Sequence, residues 1–111
     1  MKERSALLLT RDGEVLLVET ESGWSLPSTG SQDREPTAAA MEVAEDLGVD
    51  AELTQPFYSG EHQEDGEIVL VHCYLADFTG EPSGEWVETS ELDGMDLGPG
   101  LEQIKPALRR I

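Results

Sequence analysis

The chain has 111 residues, of which 24 are Asp or Glu and only seven are Lys or Arg, giving a formal net charge of −17 at pH 7. That length builds one domain, residues 1–111, around a single core, and the acidity argues against a nucleic-acid backbone as partner, because phosphate contacts need Lys and Arg. The longest purely apolar runs are a few residues, so neither a signal peptide nor a membrane partner is expected, and the expected location is cytoplasmic.

So acidic a chain stays disordered unless it carries apolar segments. Residues 6–9, 15–18 and 68–78 supply them. An acidic, hydrated surface is then read as adaptation to concentrated salt, where charge repulsion is screened. The lone cysteine, Cys73, cannot form an internal disulfide and lies in the most apolar stretch, which reads as inert packing.

Residues 5–10 (SALLLT) and 14–19 (EVLLVE) read as two short strands joined by a hairpin turn at Arg11-Asp12-Gly13. Glu21-Ser22-Gly23 is a second turn before a short strand at Trp24-Ser25-Leu26, with Trp24 a core or rim residue. Residues 36–47 then read as one helix. Ala38, Ala39, Ala40, Met41, Glu42, Ala44, Glu45 and Leu47 are mostly strong helix formers, Pro36 suits the first turn, and Gly48 supplies the stop.

On that helix Glu42, Glu45 and Asp46 stand at i, i+3 and i+4, so three carboxylates share one face. Packed together they repel one another unless a cation sits among them, and oxygen-only ligands suit Mg²⁺ or Mn²⁺ better than zinc. About one such triple is expected from composition alone in a chain this acidic, so its context must carry the assignment.

Downstream, residues 50–59 form a strand that Pro56 confines to a sheet edge. Residues 60–66 read as a flexible polar loop between glycines. Residues 68–78 are apolar on both faces and belong in mid-sheet, with His72 read first as a satisfied core residue and otherwise as a substrate contact. Residues 80–84 form a turn, Trp86-Val87 a further strand, and Thr89 or Ser90 caps a short helical turn through Leu92. Pro99-Gly100 opens a last helix whose apolar stripe is Leu101, Ile104, Leu108 and Ile111. Lys105, Arg109 and Arg110 complement its dipole, and Pro106 is expected to kink or split it. Together these elements predict an α/β fold, a mixed β-sheet sandwiched between α-helices.

The stretch 23–49 resembles the Nudix hydrolase family, whose box reads G-x5-E-x7-R-E-U-x-E-E-x-G-U, with U bulky and apolar, in a strand–loop–helix. Counting back from Gly48 and Val49, Asp46 and Glu45 fall on the acidic pair, Val43 on the apolar position, and Glu42 on the Glu after the Arg. Trp24, Leu26 and Pro27 look like the strand entering the loop. Residues 6–19 look like the family's opening hairpin, residues 68–78 like its central strand, and Glu85-Trp86-Val87 with Glu91-Leu92 like its late strand and turn. Three departures stand out. Met41 occupies the place of the Arg that orients the Glu cluster. Ser28-Thr29, followed by Gly30, replaces a Gly-Gly pair. The loop is two residues short, so the first box Glu is Glu35 when Leu26-Pro27 is aligned and Asp33 when Gly48 is aligned.

The resemblance implies attack of water on a diphosphate linked to another group, with a small-molecule nucleotide as substrate and Mg²⁺ or Mn²⁺ as cofactor. It assigns Glu42, Glu45 and Asp46 to the metal and Glu42 and Glu45 to catalysis. The base is Glu45 or a downstream group, with Glu61, Glu64, Asp65, Glu67 and His62 as candidates, although those residues also read as a solvated hairpin. A main-chain carbonyl at residues 28–30 would complete the metal shell. Two other readings remain open: a Nudix-fold module that binds such a ligand without cleaving it, and a scaffold for protein contacts. A homodimer is the expected assembly for so small a domain.

Overall fold

The computed structural model describes residues 2–110. In chain order the elements are β1 (Lys2–Leu8), β2 (Thr10–Arg11), β3 (Glu14–Thr20), β4 (Gly23–Ser25), β5 (Ser28–Gly30), α1 (Pro36–Leu47), β6 (Asp50–Glu64), β7 (Glu67–Thr79), β8 (Glu85–Glu88), a 3-10 turn (Thr89–Gly94) and α2 (Pro99–Leu108). A mixed sheet runs in the order β5-β1-β7-β6, with β1 parallel to β7 and the other pairs antiparallel. A smaller antiparallel sheet is built on β3, which pairs with β2, β4 and β8. This is the predicted mixed-sheet α/β fold with flanking helices.

Asp12-Gly13 forms the expected hairpin turn, with φ of 49° and 81°, the paired positive values of a tight two-residue turn. The partner strand, however, is only β2. The chain bends at buried Leu9, whose carbonyl accepts from the Leu16 N–H at 3.1 Å, and β1 leaves to pair with β7. Residues 5–10 therefore serve two sheets instead of one hairpin arm, because β7 offers β1 a full-length apolar partner.

Alternation along β1 explains how consecutive leucines are all buried. Ala6 and Leu8 face a core shared with α2, Val15, Leu17 and Cys73, whereas Leu7 and Leu9 face a core shared with α1, Leu16 and Ala76. A strand flanked on both sides of its sheet is apolar throughout. Against one face α1 buries Ala39, Ala40, Val43, Ala44 and Leu47. Small alanines let the helix approach closely, and Gly48 ends it at φ 82°, its N–H accepted by the Ala44 and Glu45 carbonyls. Leu101, Ile104 and Leu108, spaced one turn apart, are the buried stripe of α2; each contributes about 2 kcal/mol through burial. Ile111 lies outside the described residues.

Other expectations change with the structure in view. Residues 60–64 are strand, not loop: β6 continues to Glu64 and pairs with β7 down to Glu67, leaving only Asp65-Gly66 (φ 52° and 80°) as the turn. The Asp-Gly pair closes the hairpin tightly enough to order polar residues that have no apolar pattern of their own. Pro56 does sit on an edge strand, between two register shifts that accommodate it. Neither Thr89 nor Ser90 caps the 3-10 turn; Glu88 precedes it in extended conformation without a side-chain cap bond. Pro106 does not split α2. It lies in the last turn, where only one intrahelical bond is forgone and the Arg109 N–H still reaches the Lys105 carbonyl at 3.3 Å.

Candidate functional site

The candidate face begins where β5 turns into α1. Residues 28–30, expected as loop, form a short edge strand on β1, with Ser28 opposite Ala6, Thr29 opposite Ser5 and Gly30 opposite Arg4. The chain then tucks in fully buried Ser31, whose N–H donates to the Glu3 carbonyl at 3.0 Å. Asp33 takes a left-handed φ of 64° and the Arg34 N–H donates back to the Ser31 carbonyl at 3.3 Å. Glu35 is the extended residue immediately before α1 and makes no side-chain cap bond, so Pro36 starts the helix. Asp33 and Glu35 are both exposed, and neither side chain joins the α1 carboxylates.

This tight turn throws the Arg34 side chain back across the start of α1. Its Nε and Nη2 donate to the Gly30 carbonyl at 3.1 and 2.7 Å, and its Nη1 donates to Glu42 Oε2 at 2.6 Å. The hydrogen bond from Arg34, reinforced by its charge, holds the Glu42 carboxyl below the usual carboxylate range, and Glu42 in turn raises Arg34. Sequence reasoning missed Arg34. The available signal was its isolation, as it is the only Lys or Arg between residues 12 and 104.

Glu45 and Asp46 are exposed on the same helix as Glu42, while Val43, Ala44 and Leu47 turn inward. Exposed oxygen donors one turn apart are the chemistry a hard divalent cation prefers, so the donor set fits Mg²⁺ or Mn²⁺. Among the described residues, no three carboxylate, imidazole or thiolate side chains already converge into a cage. The Gly30 carbonyl, within the stretch expected to complete the shell, is already an acceptor for Arg34.

A cavity of about 360 Å³ opens on the opposite, α2-facing side of the sheet, large enough for a small organic ligand. Arg4, Ser28, Tyr58, His62, Glu64 and Gln103 are among its polar lining. Arg4 Nε donates to Ser28 Oγ at 3.1 Å, and His62 Nε2 lies 3.2 Å from Glu64 Oε2. Of the residues expected at the site, Ser28, His62, Glu64 and Asp65 reach this cavity. Glu42, Glu45, Asp46, Thr29, Gly30, Asp33, Glu35 and Glu61 are not in its lining. His72 is elsewhere, 3.7 Å from Glu3 Oε2.

One wall of the cavity is a backbone clasp. The Trp24 N–H donates to the Asp96 carbonyl and the Gly98 N–H donates to the Trp24 carbonyl, both at 2.8 Å. Gly23 enters the clasp at φ 114°, and a Cβ there would meet the Asp96 carbonyl oxygen at 2.6 Å. Only glycine fits such an approach. Beneath the cavity, Cys73 is buried and its thiol is pushed up to about 12 by desolvation, so it stays protonated and packs as an apolar group.

The sequence profile described as NUDIX domain matches residues 1–108. No curated protein matches the chain. Among solved structures, the E. coli ORF135 protein superposes with a TM-score of 0.82 at 23% identity, covering 99% of this chain and 89% of that one. The MutT NUDIX hydrolase from Burkholderia pseudomallei gives 0.75 at 24% identity, covering 99% and 97%. An ADP-ribose pyrophosphatase from Streptococcus suis gives 0.68 at 18% identity, covering 98% and 90%. At these identities the likeness to each is one of fold.

Proposed function

We infer, because the chain belongs to the NUDIX domain family, that it is a pyrophosphohydrolase dependent on Mg²⁺ or Mn²⁺, cleaving a nucleoside diphosphate linked to another moiety. The observation that carries this reading is the context of the acidic triple: the family match over residues 1–108 takes in the exposed face of α1, where Glu42, Glu45 and Asp46 stand within one turn of each other. Glu42, Glu45 and Asp46 would hold the cation. When bound, it neutralises charge on the diphosphate and lowers the pKa of the attacking water.

The chain's own residues divide the remaining work. Glu45 accepts the proton as water oxygen bonds to phosphorus and the bridging P–O bond breaks, the leaving phosphate taking the electron pair. The cavity suits the nucleoside half, since edge strand β5 carries both Ser28 in its lining and, two residues on, the Gly30 carbonyl that Arg34 joins to Glu42. Its lining holds Arg4 but also Glu21, Glu64 and Asp65, which would repel a phosphate chain, while Ser28, Tyr58 and Gln103 offer hydrogen bonds to sugar and base. With a net charge of −17 the protein repels its own substrate unless cations bridge the two. The same charge supports a protein working in concentrated salt, and among the described residues no helix is long and apolar enough to cross a membrane.

The test is phosphate release from nucleoside triphosphates, dinucleoside polyphosphates and nucleotide sugars, with Mg²⁺ and then Mn²⁺, in molar KCl. Metal-dependent turnover is expected, with kcat/KM falling at least about 100-fold in Glu45→Gln. Saturable nucleotide binding without turnover would replace this reading with that of a binding module.

A further inference from the structure

Arg34 stands out because cations are scarce and this one is placed among acids. The chain's other six Lys and Arg residues lie at positions 2–11 or 105–110. An exposed ion pair alone contributes little, and Arg34 and Glu42 are both partly exposed. The arrangement here is more than a pair. One guanidinium uses three N–H groups to join two elements, two of them on the Gly30 carbonyl of β5 and one on Glu42 of α1. Such a fork fixes the Glu42 rotamer against the repulsion of Glu45 and Asp46, which a free carboxylate would relieve by swinging away. The contact is to Oε2 alone, which leaves Oε1 for a cation. Meanwhile Met41, where the family pattern would put a guanidinium, points outward and is 38% exposed.

We propose that Arg34 is the positioning residue of the carboxylate face, anchored on the Gly30 carbonyl and orienting Glu42 from the turn as position 41 cannot do from the helix. Lysine would not substitute, because an ammonium is a point charge without the planar fork. The proposal rests on the metal-dependent reading above, and its test separates the two.

Mn²⁺ affinity is measured on the substrate-free protein by electron paramagnetic resonance at fixed KCl, for wild type, Arg34→Ala, Arg34→Lys, Glu42→Gln and the Arg34→Ala/Glu42→Gln double variant. Arg34→Ala is expected to weaken Mn²⁺ binding about tenfold or more. Arg34→Lys, which keeps the charge and the fold, should stay well below wild type. In the Glu42→Gln background, removing Arg34 should change affinity by less than about twofold, because the residue acts through Glu42. Unchanged or tighter Mn²⁺ binding in Arg34→Ala overturns the proposal, as does full recovery by Arg34→Lys. An equal loss with and without Glu42 overturns it too, reducing Arg34 to a tether of the turn. A wild-type protein that binds no Mn²⁺ brings down the metal-dependent reading and this assignment with it, whereas Mn²⁺ binding indifferent to Arg34 removes only the latter.

Discussion

Replacing Gly23 by alanine tests whether the clasp on the cavity wall is as tight as its geometry implies. Two costs add. A left-handed φ of 114° strains any L-residue, at about 1–2 kcal/mol. A methyl group 2.6 Å from the Asp96 oxygen and 2.9 Å from the Gly98 nitrogen must also push that backbone away. That displacement weakens the two Trp24 hydrogen bonds, at about 1 kcal/mol each. Gly23→Ala should therefore cost about 3–4 kcal/mol. Gly13→Ala is the control, since Gly13 has φ 81° but open space around its missing Cβ, and it should cost only about 1–2 kcal/mol. Urea denaturation in constant KCl reads both, with the two midpoints about 1 M apart. Equal destabilisation of the two variants would refute the steric part of the reasoning, leaving backbone strain as the whole effect.

Leu108→Ala, at a fully buried position of α2, should cost about 2–4 kcal/mol in the same assay. Cys73 should resist alkylation at pH 8 in the native state and react on unfolding. Because its thiol pKa is raised from 9.0 to about 12 by folding, this contribution to stability is complete below pH 9 and is lost as pH rises through about 12. Urea midpoints of wild type should fall across that window, more steeply than those of Cys73→Ala. Raising KCl from 0.1 to 2 M should increase the melting temperature, since screening relieves repulsion in a chain of charge −17; a flat response would remove the argument for salt adaptation.

What could be read from the chain was what short-range chemistry decides. Pro36, the alanine run and Gly48 act within a dozen residues, and α1 lies where they put it. The apolar run of β7 likewise announces a mid-sheet strand, although it is only partly covered and Ile68 at its start stays 45% exposed. Pairing is a different matter. Nothing in residues 2–8 says that their partner is β7 and not the adjacent arm at residues 14–19, because both are equally apolar. The polar end of β6 was hidden for a related reason, since Glu61, His62, Gln63 and Glu64 become strand only because β7 lies beside them. At the site, helical spacing placed the three carboxylates on one helix. Met41 leaves α1 without a guanidinium beside Glu42, and Arg34 brings one through a backbone turn at Asp33 that no spacing rule encodes.

The parallel pairing of β1 with β7 also dictates the order in which this molecule can fold. The β6–β7 hairpin closes locally through Asp65-Gly66, on a timescale of about microseconds. By contrast Lys2 meets Val69 and Leu8 meets Leu75, so joining the central strands closes a loop of more than half the chain. Such high contact order makes that closure the expected rate-limiting event of refolding. During synthesis β1 emerges first and waits for a partner made much later, its leucines exposed meanwhile. Lys2 and Arg4 on that strand keep the waiting segment cationic in an otherwise acidic nascent chain, which favours its soluble, unpaired state until β7 arrives.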